Sequence, residues 1–431
     1  MQAIERYFSL TAHQTTAKRE ILAGVTTFLT MAYIVFVNPA ILADAGIDRD
    51  AAFVATCIAA AIGSLLMGIL ANYPIALAPG MGLNAFFTYT VVAQMGHSWQ
   101  TALGVVFLSG LIFLALSVLP VREWIVNAIP RTLKMAISAG IGMFLAIIAL
   151  KSAGIVVASK PTLVQLGDLT TPAAILAILG FFAMIAMDRL KVPGAILIAI
   201  IAVTIIAMIG GFQNFGGIAS APPSLAPTFL ELDLASALEL SLISVVFAFL
   251  FVDLFDTAGT LIGVAHRAGL LDENGKLPRL RSALLADSLS TVIGAALGTS
   301  TTTSYIESAA GIRAGGRTGL TAIVVAILFL GCLFFAPLAG SVPAYATAPA
   351  LLFVACMMTR GLSEIDWEDV TEYAPAVVTA LAMPLTFSIA TGIGMGIITY
   401  AAVKLLSGRI SDASPAILVL AVAFVLNFIF L

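Results

Sequence analysis

The sequence contains few charged residues and is dominated by apolar ones. Of its 431 residues, 10% are charged and 61% are hydrophobic, and the mean hydropathy is +1.09. The net charge of −3 provides no basic field that would attract nucleic acid, so we expect no nucleic-acid partner. This composition is typical of polytopic membrane proteins, which are surrounded by the lipid bilayer.

Cysteine and histidine are also scarce, and their positions exclude several kinds of site. The three cysteines lie in apolar stretches without CxxC spacing, which favours buried inert thiols over a metal site or a disulfide. The three histidines lie in or beside loops, so we expect none to relay protons deep in the membrane. Neither the GxGD motif of intramembrane aspartyl proteases nor a DDxxD metal motif occurs. We expect no cofactor, and an intramembrane enzyme is a disfavoured alternative.

Apolar stretches long enough to cross a bilayer recur along the chain. A helix needs about 20 residues for this, and examples are residues 21–42, 101–120 and 320–340. Basic clusters, beginning with Lys18 and Arg19, recur after even numbers of such stretches. By the positive-inside rule, residues 1–20 are expected in the cytoplasm, in a multi-pass protein of the inner (plasma) membrane.

Similar stretches recur in the same order in the two halves of the chain. Together they predict a duplicated unit of about seven spans, and an odd number of spans forces the second copy to be inverted. Inverted repeats commonly form transporters in which interrupted helices meet near the midplane. The pairs are Ala61–Ala71 with Val292–Ser300, Phe144–Gly154 with Phe353–Ser363, and Pro172–Gly180 with Pro375–Met383.

Two stretches in corresponding places are poor continuous helices. Residues 72–91 contain Pro74, Pro79 and two glycines, and residues 298–319 contain a hydroxyl run from Thr299 to Ser304. At membrane depth such backbone is tolerated only where it is buried in protein or lines a wet cavity. We therefore expect both stretches to line a binding site.

Carboxyl side chains accompany these interrupted stretches. Asp253 and Asp256 are three residues apart and share a helix face, although one mid-membrane aspartate costs roughly 2.5–3.5 kcal/mol. Glu307 lies in the second interrupted stretch and Asn84 in the first. Taken singly, Asn84, Asp253 or Glu307 could be a helix-packing residue, and for Asp253 that alternative weighs as much as a ligand role. Asp256 and Glu307 together favour function.

The candidate site has carboxyl, amide, hydroxyl and aromatic groups but no cationic side chain, so we expect it to reject anions. A flat neutral molecule with adjacent N–H donors suits it better. A carboxylate accepts two parallel hydrogen bonds from such an edge, while aromatic rings pack on the faces. Aspartate and glutamate can also carry a proton with the substrate, with sodium as the competing coupling ion.

Four motifs resemble those of the AzgA-like purine permeases, a branch of the nucleobase:cation symporters. They are APGMGLNAFF (78–87), FDTAGTLIGVA (255–265), TSTTTSYIESAAG (299–311) and GGRTGLTA (315–322). The resemblance covers essentially the whole chain. It implies an all-α polytopic membrane fold of fourteen transmembrane segments in two inverted seven-segment repeats, with short extended strands in segments 3 and 10.

The resemblance also implies roles for individual residues. Asp256 in FDTAG and Glu307 in SYIES resemble the family's two substrate carboxylates, and Asn84 falls on the GLNAF motif. Proton coupling is expected at Asp256, Glu307 and Asp253. The full predicted substrate-binding set is Asp256, Glu307, Asn84, Phe86, Phe255, Tyr305 and Thr303.

A core domain and a gate domain are further implications of the resemblance. The core halves are expected at 21–120 and 234–340, and the gate halves at 121–213 and 341–431. A homodimer through the gate domain is expected on the same ground. The apolar stretch 414–431 lies beyond the fourteenth segment, and its topology is left open.

The predicted function is a secondary transporter that imports purine nucleobases (hypoxanthine, guanine or adenine) with protons, by an elevator or rocking motion of core against gate. The alternative of the same fold is a carrier of another nucleobase such as uracil or xanthine. A carrier of small anions is disfavoured, because the candidate site has no lysine or arginine.

Overall fold

The computed structural model describes residues 2–118, 130–239, 242–268, 270 and 277–430, and it is mostly helical there. Within these ranges, nine helical stretches are long and apolar enough to cross a membrane, and three shorter apolar helices accompany them. The chain is therefore a polytopic protein of membrane type, as the composition predicts.

The first half of the chain alternates long helices with one interrupted segment. Helices α2 and α3 follow each other almost directly, α4 continues as a π-helical turn at Met67–Ala71, and α5 continues as a π-helix at Phe86–Gln94. The elements are α1 (Gln2–Phe8), α2 (Ala17–Met31), α3 (Ile34–Asp44), α4 (Arg49–Leu66), β1 (Leu77–Pro79), α5 (Met81–Ala85), α6 (Trp99–Val118), α7 (Arg131–Ser152), β2 (Val156–Ser159), β3 (Leu163–Leu166), α8 (Pro172–Arg189) and α9 (Ala195–Ile209).

The second half follows a similar order of elements. The long helix that carries the two aspartates is followed by one continuous helix, and the segment after that is interrupted by a short strand and a short helix. The elements are α10 (Leu234–Ala237), α11 (Ile243–Ala268), α12 (Leu280–Leu297), β4 (Thr302–Ser304), α13 (Ser308–Arg313), α14 (Gly319–Cys332), α15 (Ala336–Gly340), α16 (Ala344–Thr359), α17 (Val370–Thr386), α18 (Ile389–Leu406) and α19 (Pro415–Phe430).

The long helices pack in two groups. In the first group, α14 lies against α2 and α4, and α12 lies against α4 and α6. In the second, α7 lies against α16 and α17, and α17 lies against α18, which also contacts the C-terminal helix α19. The stretch 414–431, whose topology the sequence leaves open, thus contains a helix that packs on the second group.

Small residues let the helices of the first group approach closely. A Cβ built on Gly319 would lie 2.0 Å from the carbonyl oxygen of Gly68, so α14 and the π-helical turn after α4 are in backbone contact. Glu20 joins α2 to the same helix, since its buried carboxylate accepts hydrogen bonds from the backbone N–H groups of Arg317 (2.9 Å) and Thr318 (3.2 Å) at the start of α14. An acidic group is favourable at a helix N-terminus.

Two small sheets accompany the helices, and only one of them corrects the expected fold. The first pairs β1 and β4, which lie in the two interrupted stretches where the resemblance implies extended strands. The other is a hairpin of β2 and β3 that the sequence analysis does not foresee. It lies at the surface, with Leu163 76% exposed. Its signals are the paired valines of β2 and the Lys160–Pro161 turn, both overlooked within a helical sequence.

Candidate functional site

The candidate site lies where the two interrupted segments meet. Strands β1 and β4 pair antiparallel with Ala78 opposite Thr303, and every residue of both strands is buried. The Gly80 N–H extends the pairing by donating to the Thr301 carbonyl at 2.9 Å. Backbone groups of both interruptions are thus satisfied by each other, as lipid-buried backbone requires. Short helices follow each strand, and the polar residues of both segments lie near this junction.

Glu307 occupies the turn between β4 and α13, at the N-cap position of that helix, and is partly exposed. The hydroxyl of Tyr33 donates to its Oε1 atom at 2.6 Å. Tyr33 comes from the break between α2 and α3 and is fully buried. The sequence analysis missed Tyr33, because it lies in the apolar stretch MAYIVF without any polar pattern.

Asp256 reaches the same junction from α11 and is also partly exposed. The Thr303 side chain lies within hydrogen-bonding reach of its carboxylate, and Glu307 lies near enough for the two negative charges to interact. The structure therefore brings Asp256, Glu307 and Thr303 together from two separate elements. Both residues keep part of their surface exposed at the junction.

Asp253 lies behind this junction and is fully buried. The Thr291 hydroxyl is 3.4 Å from its carboxylate and 3.1 Å from the Thr302 carbonyl of β4. One turn along α11, the Thr257 hydroxyl lies 3.0 Å from each carboxylate oxygen of Asp287, which is buried on α12. These contacts join α11 to α12 beneath β4. Asp287, like Tyr33, is a residue near the junction that no motif in the sequence marks.

Asn84 lies on α5 and is fully buried. Neither its amide nitrogen nor its amide oxygen has a hydrogen-bond partner among the described residues. A buried amide without partners costs roughly 1–3 kcal/mol. Asn84 therefore provides one donor and one acceptor that a ligand can satisfy.

The aromatic residues of the predicted set have different surroundings. Phe86 packs against Phe249 of α11 with ring centroids 4.9 Å apart. The Tyr305 hydroxyl donates to the Pro79 carbonyl at 2.6 Å and so links the two interrupted segments. The side chain of Phe255 lies outside the described part of the structure. Tyr305 acts here as a brace of the junction, a contact that its sequence position alone does not reveal.

The site as described is acidic and contains no metal-binding constellation. Across the described ranges, no cluster of three or more His, Cys, Asp or Glu side chains is arranged to hold a metal ion. The groups assembled at the junction are carboxylates, an amide and hydroxyls. Chemically this arrangement can accept hydrogen bonds from N–H groups and can load a proton.

Comparisons with known proteins agree with this architecture. The family model described as "Permease family" (Xan_ur_permease) matches residues 18–426. The chain is 48% identical to the adenine permease AdeP of Escherichia coli, over 99% of this chain and 96% of that protein. It is 45% identical to the guanine/hypoxanthine permease PbuO of Bacillus subtilis, over 97% of this chain and 98% of that protein.

A solved structure shares the fold at low sequence identity. The transmembrane domain of the cyanobacterial bicarbonate transporter BicA matches with a TM-score of 0.68, over 87% of this chain and 97% of that domain, at 18% identity. Together with the family match along nearly the whole sequence, these findings show that the chain belongs to the Xan_ur_permease family of membrane permeases and is not an enzyme.

Proposed function

We propose that the chain imports purine nucleobases (hypoxanthine, guanine or adenine) in symport with protons. Full-length relatives are named for adenine and for guanine and hypoxanthine. Within this chain, one observation carries the proposal: Asp256 and Glu307 meet at the junction of β1 and β4, and both are partly exposed there.

A purine suits the groups at this junction. Its edges carry N–H donors next to ring acceptors, and carboxylates bind such donors strongly because the hydrogen bonds are charge-assisted. Asp256 and Glu307 are the proposed acceptors, and Asn84 has both a free donor and a free acceptor among the described residues. Thr303 holds Asp256, while Phe86, Phe255 and Tyr305 form the apolar surroundings in the proposal.

Proton coupling follows from the same carboxylates in the proposal. A proton that enters with the purine carries one charge down the membrane potential, which contributes about 2.3 kcal/mol per 100 mV. Asp256 and Glu307 are the groups that can load it beside the substrate, and Asp253 lies one helical turn from Asp256. Sodium is the rival coupling ion.

The proposed motion moves a core against a gate. The core would comprise 21–120 and 234–340, and the gate 121–213 and 341–431, with residues 1–20 in the cytoplasm and a homodimer through the gate. The boundary at 120/121 lies outside the described residues. The two packing groups of helices support this division, and the matched stretches of the two halves lie on α4 and α12, α7 and α16, and α8 and α17.

One group of contacts between the two proposed domains lies at the ends of their helices. The Thr90 hydroxyl in the π-helix of the core donates to the Phe387 carbonyl of the gate at 2.6 Å, and the Gln94 amide lies 3.4 Å from the Thr386 carbonyl. Phe387 has a φ of 51°, which is unusual for a bulky residue. π-Helices also occur frequently at functional sites. We name Thr90, Gln94, Thr386 and Phe387 the outer latch.

Uptake into proteoliposomes tests the proposal. At least one of labelled hypoxanthine, guanine and adenine should enter faster when the inside is alkaline, and that purine should carry protons with it. Better competition by uracil or xanthine than by any of these three bases, or uptake driven by a sodium gradient alone, would contradict it. Glu364→Gln is a matched control for Glu307→Gln, since Glu364 pairs with Arg131 at the surface (2.5 Å), away from the junction.

A further inference from the structure

Tyr33 contacts Glu307, although it is not among the residues proposed to bind the purine. Its hydroxyl donates to Glu307 Oε1 at 2.6 Å, across 274 positions of sequence. The tyrosine side chain is fully buried, whereas Glu307 is partly exposed. One carboxylate oxygen of Glu307 is therefore held from the protein side, and the residue keeps access to the junction.

The position of Tyr33 is fixed by helix packing. Thr27, Thr30 and Tyr33 are spaced three apart, so they lie along one face of α2 and its continuation. That face lies against α13, because a Cβ built on Gly311 would be 2.1 Å from Thr27 Oγ1. The Thr30 hydroxyl is 3.5 Å from the Glu307 carbonyl. The distance between Tyr33 and Glu307 is thus set by two helices in close contact.

We infer that Tyr33 is a positioning residue of the purine site: it holds one oxygen of Glu307 so that the other accepts an N–H of the substrate. The inference rests on the proposed function. Thr303 stands in the same relation to Asp256. Each carboxylate then has its own hydroxyl donor, and each keeps acceptor capacity for the purine edge.

A neutral phenol suits this role better than a cation would. A hydrogen bond from a hydroxyl orients a carboxylate without neutralising it, so the acceptor strength of the other oxygen is retained. Lysine or arginine at this position would cancel the charge that the substrate needs. The structure places a phenol here, which donates its hydroxyl proton to Glu307 and is buried away from solvent.

A double-mutant cycle with the full-length purified chain tests the inference. Equilibrium binding of labelled adenine, guanine and hypoxanthine is measured for wild type, Tyr33→Phe, Glu307→Gln and the double variant. Tyr33→Phe keeps the ring and its packing and should weaken binding of the preferred purine about tenfold or more. In the Glu307→Gln background the same change should have less than about a twofold effect, because its partner is altered.

Tyr345→Phe is the matched control. The Tyr345 hydroxyl has no hydrogen-bond partner in the described part of the chain, and this residue lies on α16, away from the junction. Its removal should leave binding unchanged. Thermal unfolding of each variant establishes that the loss in Tyr33→Phe is not a loss of fold.

Four results would overturn the inference or its basis. Wild-type binding by Tyr33→Phe, or equal weakening in both backgrounds, shows that Tyr33 does not act through Glu307. If Glu307→Gln binds too weakly for the cycle, the pH profile of Tyr33→Phe binding decides: a displaced profile supports positioning, and one parallel to wild type refutes it. If wild type binds none of the three purines, the proposed function fails instead.

Discussion

The two interrupted segments share a backbone plan but carry different chemistry. Each consists of a short strand followed by a short helix, and the strands pair with each other. The first strand, Leu-Ala-Pro, has no hydroxyl, and its segment contributes the neutral Asn84 without described partners. The second strand, Thr-Thr-Ser, precedes Glu307, which Tyr33 holds. Burying a neutral amide without a hydrogen-bond partner costs less than burying a carboxylate without one. The carboxylate is therefore the group that needs a hydrogen-bond donor from the protein.

The segments also differ in what they pack against. The first continues into the π-helix that forms the outer latch with Phe387. The second packs against α2, where Gly311 touches Thr27. One interrupted segment thus faces the proposed gate, and the other is fixed inside the proposed core. We therefore expect changes in the first segment to affect mainly the motion of the proposed core against the gate, and changes in the second to affect mainly purine binding.

The largest expected effect on uptake comes from removing a charged residue of the site, compared with removing a neutral one. Glu307→Gln and Asp256→Asn each remove a charged acceptor and should lower purine uptake about a hundredfold, whereas Asn84→Ala removes neutral hydrogen bonds and should lower it about tenfold. Initial rates of labelled purine uptake measure both. Equal losses in all three variants would remove the distinction between the two segments, and Glu364→Gln controls for the loss of a carboxylate elsewhere.

The second prediction concerns the outer latch. Gln94→Cys with Thr386→Cys, in a Cys356→Ser background, places one thiol on each side of the contact between the Gln94 side chain and the Thr386 carbonyl. A short bis-methanethiosulfonate cross-linker should abolish uptake, and a reductant should restore it, because a bridge would hold the proposed core against the gate. The control pair Arg131→Cys with Glu364→Cys lies within the gate alone. Uptake that survives a complete latch bridge would contradict a motion at this contact.

The acidic centre of the site could be predicted from the sequence because its signals are local. Carboxyl groups are rare in apolar stretches, and the spacing of Asp253 and Asp256 places both on one helix face without any tertiary information. The prolines of the first segment and the hydroxyl run of the second likewise indicate breaks in the helix. Such features need only neighbouring residues to be interpreted.

The supporting contacts could not be predicted because they join distant parts of the chain. Tyr33 resembles any apolar aromatic residue until α13 is placed beside it. Lys404 ends an apolar stretch, where a lysine normally extends to the interface, yet it is fully buried and donates to Glu372 at 2.6 Å. The roles of such residues depend on helix packing, which the sequence pattern does not encode locally.

The third prediction compares a glycine in each interrupted segment. A Cβ on Gly311 would lie 2.5 Å from the backbone carbonyl of Ala23, so Gly311→Ala must displace α2 or α13. A Cβ on Gly82 would lie 2.4 Å from Ile141 Cγ2, so its close contact is with one side chain of α7 rather than with backbone. Gly311→Ala should cost about 1–3 kcal/mol of stability and reduce uptake by shifting Glu307, while Gly82→Ala should cost less, because only a side chain and no backbone must shift.

Thermal unfolding in detergent and purine uptake measure this pair of variants together. The comparison is sharp because both changes add the same methyl group to a short helix that follows a strand. A Gly82→Ala variant as damaged as Gly311→Ala would show that the first segment is packed as rigidly as the second, and would contradict the assignment of motion to it.

The smallest expected effect concerns a carboxylate outside the membrane whose negative charge is stabilised by hydrogen bonds. Asp369 caps α17: the Thr371 hydroxyl and N–H donate to it at 2.7 Å and 2.8 Å, and Arg409 donates at 2.5 Å. Hydrogen bonds from Thr371, and then from Arg409, lower the pKa of Asp369 below its usual range. Because the folded pKa is the lower one, this stabilisation is present above the unfolded pKa of about 3.9 and is lost as the pH falls through the folded value.

Asp369→Asn should therefore lower the unfolding temperature by a few degrees at most at pH 7, since the Asp369 side chain is 24% exposed and solvent screens its charge. The difference from wild type should shrink as the pH falls toward 3, while purine uptake at pH 7 stays unchanged. Glu368→Gln, a change at the exposed neighbour, should have no pH-dependent effect. A difference between Asp369→Asn and wild type that is constant with pH would mean that shape, not charge, holds the start of α17. In that case the need of a carboxylate for a hydrogen-bond donor, which distinguishes Glu307 from Asn84, would not apply to carboxylates at the surface.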